Sequence, residues 1–241
     1  MFENRTYRRF HQKENLVSFE VTVKETNLNI QADTDLRDAA LRAELSARSL
    51  IENTIAQYPE FATSLVPLNE TGPVPKIIDD MLAAGRLAGV GPMAAVAGAV
   101  AQYTGEALLN LSNEVIVENG GDIYIKSNSD TVLGIYAGEN SPFSHTTGIR
   151  VSHRKNPFGI CTSSGTLGHS KSFGTADAAI VLSHACPLAD AAATALGNLV
   201  KSGPDIAKAI EIGRRITGIQ GIVILKDDKI GVWGDIKLVK T

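Results

Sequence analysis

The sequence predicts an α+β fold: a single domain, spanning residues 1–241, in which antiparallel or mixed sheets pack against helices. Three observations predict it. A pair of β-branched segments opens the chain, a block with helical spacing of apolar residues follows, and short apolar strands then dominate the second half. No internal repeat and no composition shift marks a linker, so one layered core is expected.

Bulk properties narrow the function classes. The 241 residues are 44% hydrophobic and 20% charged, the balance of a soluble globular protein with a real core. A net charge of −3 supplies no basic field for nucleic acid or anionic lipid. Two cysteines, Cys161 and Cys186, are too few for a secreted disulfide framework. The basic start of the chain, with Arg5, Arg8 and Arg9 beside Tyr7, is followed by no apolar export segment, and no apolar run is long enough to span a bilayer. A cytoplasmic protein with no nucleic-acid or membrane partner is expected, and homo-oligomerisation is left open.

Each element follows from its residues. Leu16 to Lys24 alternates apolar and polar residues as a half-buried strand does, and Asn27 to Ala32 pairs with it. Asp35 opens a helix through about Gln57, whose stripe is Leu36, Ala40, Ala43, Ala47, Leu50, Ile51 and Ile55. Arg37, Asp38, Arg42, Glu44, Arg48 and Glu52 are placed mostly off that stripe. Asn69 to Pro75 is a loop, and a helix runs from Lys76 to about Leu87. After a break at Gly89 to Gly91, Pro92 suits the first turn of a helix that reaches about Asn110. Strands are expected at Glu114 to Glu118, Asp122 to Lys126, Val132 to Ala137, Gly148 to Ser152 and Ala178 to Leu182. Helices are expected at Pro187 to Lys201 and Asp205 to Thr217. A hairpin of Ile219 to Leu225 and Ile230 to Ile236 ends the chain.

Four stretches hold residues suited to chemistry. Asp190 and Thr194 lie four apart on one helix face and present a carboxylate and a hydroxyl, donors suited to a hard cation such as Mg²⁺. They equally suit a dipole-complementing first-turn Asp and a Thr bonded back to a carbonyl. Asn119-Gly120-Gly121-Asp122 is a hairpin turn signal, or a glycine gap that admits a ligand with Asp122 at its rim. Gly91 to Gly98 is a small-residue helix start, open to phosphate or built for close packing. Cys161 to Gly174, CTSSGTLGHSKSFG, has no GxSxG elbow and no common zinc spacing. It reads as a Ser/Thr/Gly loop in which Lys171 would help hold an anion, or as a solvated loop.

In order along the chain these stretches resemble the ApbE-like superfamily, the flavin transferases also known from thiamine biosynthesis work, and more closely a small prokaryotic family within it. The segments that carry the resemblance are GPMAAVAGAVAQ, VENGGDIYI, CTSSGTLGHSKSFGTADA and LADAAATALGN, between about Gly91 and Asn198. The flavin transferases split FAD and transfer its FMN half to a protein Thr or Ser with Mg²⁺. The resemblance therefore implies a flavin or nucleotide ligand (FAD or FMN) and Mg²⁺. It implies Asp190 and Thr194 as metal ligands, and Asn119, Gly120, Gly121, Asp122, Thr162, Ser163, Ser164 and Gly165 as the cofactor-binding wall. His169 stands where the transferases carry the His of H-x-x-D-P-x-x-G and is the implied acid or base. The match there is one residue, because Gly168 to Gly174 contains no Asp-Pro, and GPMAAVAG lacks the Asp and Lys of the family's D-L-G-G-I-A-K-G. The sequence thus predicts a metal-dependent flavin enzyme, with a non-catalytic flavin- or anion-binding module as the alternative and an assembly protein as a weaker third reading.

Overall fold

The structure, a computed structural model, describes residues 13, 15–69, 72–139, 141–165 and 174–241. His169, Lys171 and the Arg5, Arg8 and Arg9 cluster lie outside these residues. The central element is an eight-stranded, wholly antiparallel sheet. Its strands are β1 (Val17–Val23), β2 (Thr26–Ala32), β3 (Val115–Asn119), β4 (Asp122–Lys126), β7 (Phe158–Ser163), β8 (Ala178–Ser183), β9 (Ile219–Lys226) and β10 (Lys229–Gly234), in that spatial order. A second antiparallel sheet of β11 (Lys237–Lys240), β6 (Thr147–Val151) and β5 (Thr131–Gly134), in that order, covers part of one face. Helices cover the other.

Two cores follow from this layering. On the helix side, Leu28, Ile30, Val117, Val181 and Ile222 pack against Ile51, Ile78, Met81, Leu108 and Leu196. On the other side, Ile116, Ile125, Ile160, Leu182 and Val223 pack against Leu133, Ile149 and Val151 of the small sheet. The strand sequences reflect this. β8, covered on both faces, is buried along its whole length and reads as an unbroken apolar run. β1, covered on one face, alternates, with Phe19 and Val21 inward and Ser18, Glu20 and Thr22 outward. Each fully buried Leu or Ile contributes roughly 1.5–3 kcal/mol relative to exposure, so these two sandwiched layers dominate stability.

The helices are α1 (Arg37–Gln57), α2 (Glu60–Thr63), α3 (Lys76–Ala88), α4 (Val96–Leu108), α5 (Cys186–Leu199) and α6 (Asp205–Gly213). Several expectations need correction. Pro92 opens a separate 3₁₀ turn, Pro92–Ala95, and the α-helix proper starts at Val96. Glu44, placed off the apolar stripe of α1, is fully buried. β7 occupies residues read as the start of a loop. A two-sided buried strand has no alternation to reveal it, and Thr162 and Ser163 look like loop residues. The short helix α2 and the last strand β11 were also unanticipated. Among the described residues no single helix is long and apolar enough to cross a membrane.

Candidate functional site

α4 and α5 meet over the helix-facing side of the large sheet, and their small residues set how close they come. Gly98, Ala99 and Ala101 on α4 and Ala189, Ala191, Ala192 and Ala193 on α5 are all buried. A Cβ on Gly98 would sit 2.5 Å from the Cys186 carbonyl oxygen and 3.0 Å from Asp190 Cβ. At this crossing the two helices cap each other. Asp190 Oδ2 accepts the Gly98 N–H at 2.9 Å, and the Ala97 N–H also bonds to this carboxylate. In return, Gln102 Oε1 accepts the Cys186 N–H at 2.9 Å, at the start of α5. A buried carboxylate here satisfies amide groups that have no intrahelical acceptor and faces the positive end of the α4 dipole.

This placement changes both sequence readings of Asp190. α5 begins at Cys186 and has no acid in its first turn, so Asp190 serves the dipole of α4 and not that of its own helix. The start of α4, read as open to a phosphate or built for close packing, is closely packed on α5, with its Ala97 and Gly98 amides bonded to Asp190.

The Asn-Gly signal forms the hairpin that its chemistry predicts. Gly120 and Gly121 make a two-residue turn at φ 66° and 107°, a backbone region that favours glycine, and Asn119 pairs with Asp122 across it. The turn is also tied to the helix crossing, because Asn119 Nδ2 donates to the Ala97 carbonyl at 3.1 Å. The Gly121 N–H donates to Glu118 Oε1 at 3.0 Å. From this hairpin, Asp122 is buried beside β7 and accepts the Thr162 N–H at 3.2 Å. The Cys161 thiol lies within reach of both the Asp122 carboxyl and the Cys186 carbonyl, the latter at 3.5 Å.

Asp122 and Asp190 form a pair of buried carboxyls. Burial pushes the Asp122 carboxyl well above the usual carboxylate range; the Asp190 charge and then Glu118 push it further. The Cys161 thiol and Thr162 N–H pull it down. Burial raises Asp190 to about 7 against the pull of the Gly98 and Ala97 amides. Among the described residues, the charges that act on Asp122 are therefore carboxylates, not cations. Burial likewise raises the Cys161 thiol far above its ordinary range, which makes it a packed neutral group and not a nucleophile.

The remaining expected residues spread around this pair. Thr194 is one turn along α5 from Asp190 and partly buried. Along β7, Cys161 and Ser163 face the helices, with Ser163 Oγ 3.8 Å from where a Cβ on Gly197 would sit. The Thr162 side chain points to the opposite face, beside Gly121, so only its amide reaches Asp122. Ser164 and Gly165 follow the strand, and the Gly165 N–H donates to the Ala176 carbonyl at 2.9 Å. Gly98 and Cys161 fall in stretches that the sequence singles out, but the specific roles of Gly98, Gln102, Cys161 and Cys186 in building the site come only from the packing. Cys161 and Cys186 suit neither a disulfide framework nor a common zinc spacing, and no local signal shows that Gln102 caps another helix.

The donor set can be tested against a divalent cation. Among the described residues no group of three or more His, Cys, Asp and Glu stands together as a metal cluster. Two buried carboxyls with no cation among the described residues acting on either, plus a hydroxyl one helical turn away, nevertheless match an oxygen-seeking ion such as Mg²⁺. Such an ion fills its shell with main-chain oxygens and water.

A family model described as AbpE bacteria matches residues 8–217. The chain belongs to this ApbE-like family. Its relatives include a UPF0280 protein of Methanococcus aeolicus, 39% identical over 233 residues that cover 94% of each chain. A UPF0280 protein of Methanocaldococcus jannaschii is 40% identical over 231 residues, 92% of each. Among solved structures, the flavin transferase ApbE from Vibrio cholerae superposes with a TM-score of 0.55 at 12% identity, over 91% of this chain and 97% of that one. The flavinyl transferase ApbE of Pseudomonas stutzeri gives 0.56 at 12% identity, over 91% and 94%. At that identity the likeness shows that this family member has the ApbE fold.

Proposed function

We propose that this ApbE-family chain is a divalent-metal-dependent enzyme acting on a flavin nucleotide, with FAD as the substrate class and release or transfer of its FMN half as the reaction. The observation that carries the reading is the buried Asp122–Asp190 pair, two carboxyls without a cationic neighbour among the described residues, at the joint of hairpin, β7 and α5. Asp190 and Thr194 would hold Mg²⁺, with Asp122 beside them. Mg²⁺ supplies charge neutralisation at a pyrophosphate as its P–O bond breaks.

The chain's own groups do the rest. The α4 amides fix the Asp190 carboxylate so that it need not reorganise. The Gly120–Gly121 turn leaves the hairpin tip without side chains where a ligand's phosphates would approach. Ser163 and the strand end at Ser164 and Gly165 form the neighbouring wall. His169, for which an imidazole's range suits proton transfer near neutral pH, is the proposed acid or base. The alternative, a flavin-binding module without turnover, is favoured by one sequence observation, the missing Asp-Pro after His169.

The test is incubation of the protein with FAD and Mg²⁺, with products followed by fluorescence and chromatography. FMN should appear, and chelation should stop it. Asp190→Asn retains an oxygen to accept the Gly98 N–H but loses the charge. It should keep the fold and cost at least about 100-fold in rate, the upper end of what loss of a metal ligand's partner costs. Tight FAD binding without product would establish the module. Neither binding nor product would leave only the fold.

A further inference from the structure

We infer that the chain forms a two-fold dimer in which β10 pairs antiparallel with β10 of a second copy, making the eight-stranded sheet continuous across both. β10 is the outer strand of the large sheet, bonded to β9 on one side only. The β9–β10 turn has two residues, Asp227 and Asp228, between the paired Lys226 and Lys229. In a two-residue hairpin the flanking pair exchanges both hydrogen bonds, and bonding alternates from there. Lys229, Gly231 and Trp233 therefore bond inward to β9, and the N–H and C=O groups of Ile230 and Val232 point out from the edge. Among the described residues nothing bonds to these outward groups.

Edges are ordinarily protected from pairing by charged residues. The opposite edge, β1, has Glu20 between Ser18 and Thr22 on its open face. β10 has no charge between Lys229 and its end at Gly234, and Ile230 and Val232 are 36% and 40% exposed. On the other face of the sheet, α6 overhangs the strand and leaves an open, largely apolar cavity of about 670 Å³ along it. Pro204, Ala207 and Ile210 line that cavity. Apolar surface thus flanks the bare edge on both faces, the condition met by a strand that receives another strand.

The strand is complementary to itself, which selects a second copy as the occupant. Antiparallel pairing about Gly231 sets Ile230 opposite the partner's Val232, and Val232 opposite the partner's Ile230, as hydrogen-bonded pairs on one face. On the α6 face, Lys229 lies opposite the partner's Trp233 in the closer, non-bonded positions, an ammonium against an indole. The residue on the two-fold is Gly231. A Cβ there would sit 2.4 Å from Ile206 Cγ2 and 2.7 Å from Ile210 Cδ1, so its lack of a side chain lets α6 pack closely on β10 beside the axis. The two α6 helices then face each other across the cavity.

Sedimentation of the full chain over a concentration series should give a dimer mass. Val232→Lys, a charge at an exposed edge position, should give a monomer with an unchanged circular dichroism spectrum, and Ile230→Lys should do the same. Leu111→Lys, at an exposed apolar residue away from this edge, should leave the dimer intact. Trp233 is the single tryptophan, so its emission should shift to longer wavelength as the wild type is diluted and should start shifted in Val232→Lys. A wild type that stays monomeric at every concentration overturns the inference, including one whose edge takes a strand from another protein. So does a dimer that survives both edge substitutions.

Discussion

Glu44 is the residue whose cost is plainest. It is sealed within α1 packing, neither carboxylate oxygen has a hydrogen-bond partner among the described residues, and burial pushes its carboxyl up from 4.5 to about 7. Arg48, one turn on, pulls the other way but is held by Thr26, Glu25 and Glu52. The folded value is raised above the unfolded one, so stability is full below about pH 4.5 and is lost as pH rises through 7. Glu44→Leu should exceed the wild type at both ends, by on the order of 2 kcal/mol more above pH 7 than at low pH after discounting for solvent screening. Urea unfolding at about pH 4 and about pH 8 checks this; a constant difference between the two would refute it. The sequence places Glu44 off the apolar stripe, because helical spacing locates a stripe but not which packed neighbours close over its edge.

At the scale of elements, the α4–α5 crossing joins packing to the site. Gly98→Ala ought to gain roughly 1 kcal/mol, since Gly is a poor helix residue. The new Cβ would meet backbone oxygen at 2.5 Å and Asp190 Cβ at 3.0 Å, however, and neither is the free end of a flexible chain. Overpacking of this kind costs about 1–3 kcal/mol, so the variant should be less stable despite its better propensity. It should also release the Asp190 carboxylate from the Gly98 amide. A lowered melting temperature together with weakened Mg²⁺ dependence of FAD turnover is the expected pair of results. A variant as stable as wild type would show that the crossing tolerates separation. The motif order was legible here, with NGGD, T-S-S-G and A-D-x-x-x-T all arriving at one place. The reciprocal caps were not, because a cap between two helices leaves no trace in either helix's own spacing.

For the whole molecule, the small sheet is what makes the large one a two-sided core, and the last strand, β11, completes it beside β6. Deleting residues 237–241 would strip one of β6's two partners, leaving it paired with β5 only and the helix layer untouched. Thermal unfolding should fall by about 2–4 °C for each kcal/mol lost, with the Asp122–Asp190 region on the far face still formed. A truncated chain that melts like the wild type would show that β11 contributes no stability. β11 escaped the sequence reading because three of its four residues are exposed and it follows directly on a hairpin, where a chain end is expected to trail off.

The sequence by itself determined most of the strand and helix succession (β7, β11 and the short α2 excepted), the Gly120–Gly121 hairpin and the four segments that mark an ApbE-like chain. These are local matters: periodicity, turn chemistry and residue order are all written in neighbouring positions. Only the tertiary structure decided which face of β7 each of Thr162 and Ser163 takes, that Asp190 caps α4, and that it shares a buried site with Asp122. Those facts depend on burial and on groups brought together from 68 positions apart in the chain, and neither desolvation nor distance is encoded in any one stretch of residues.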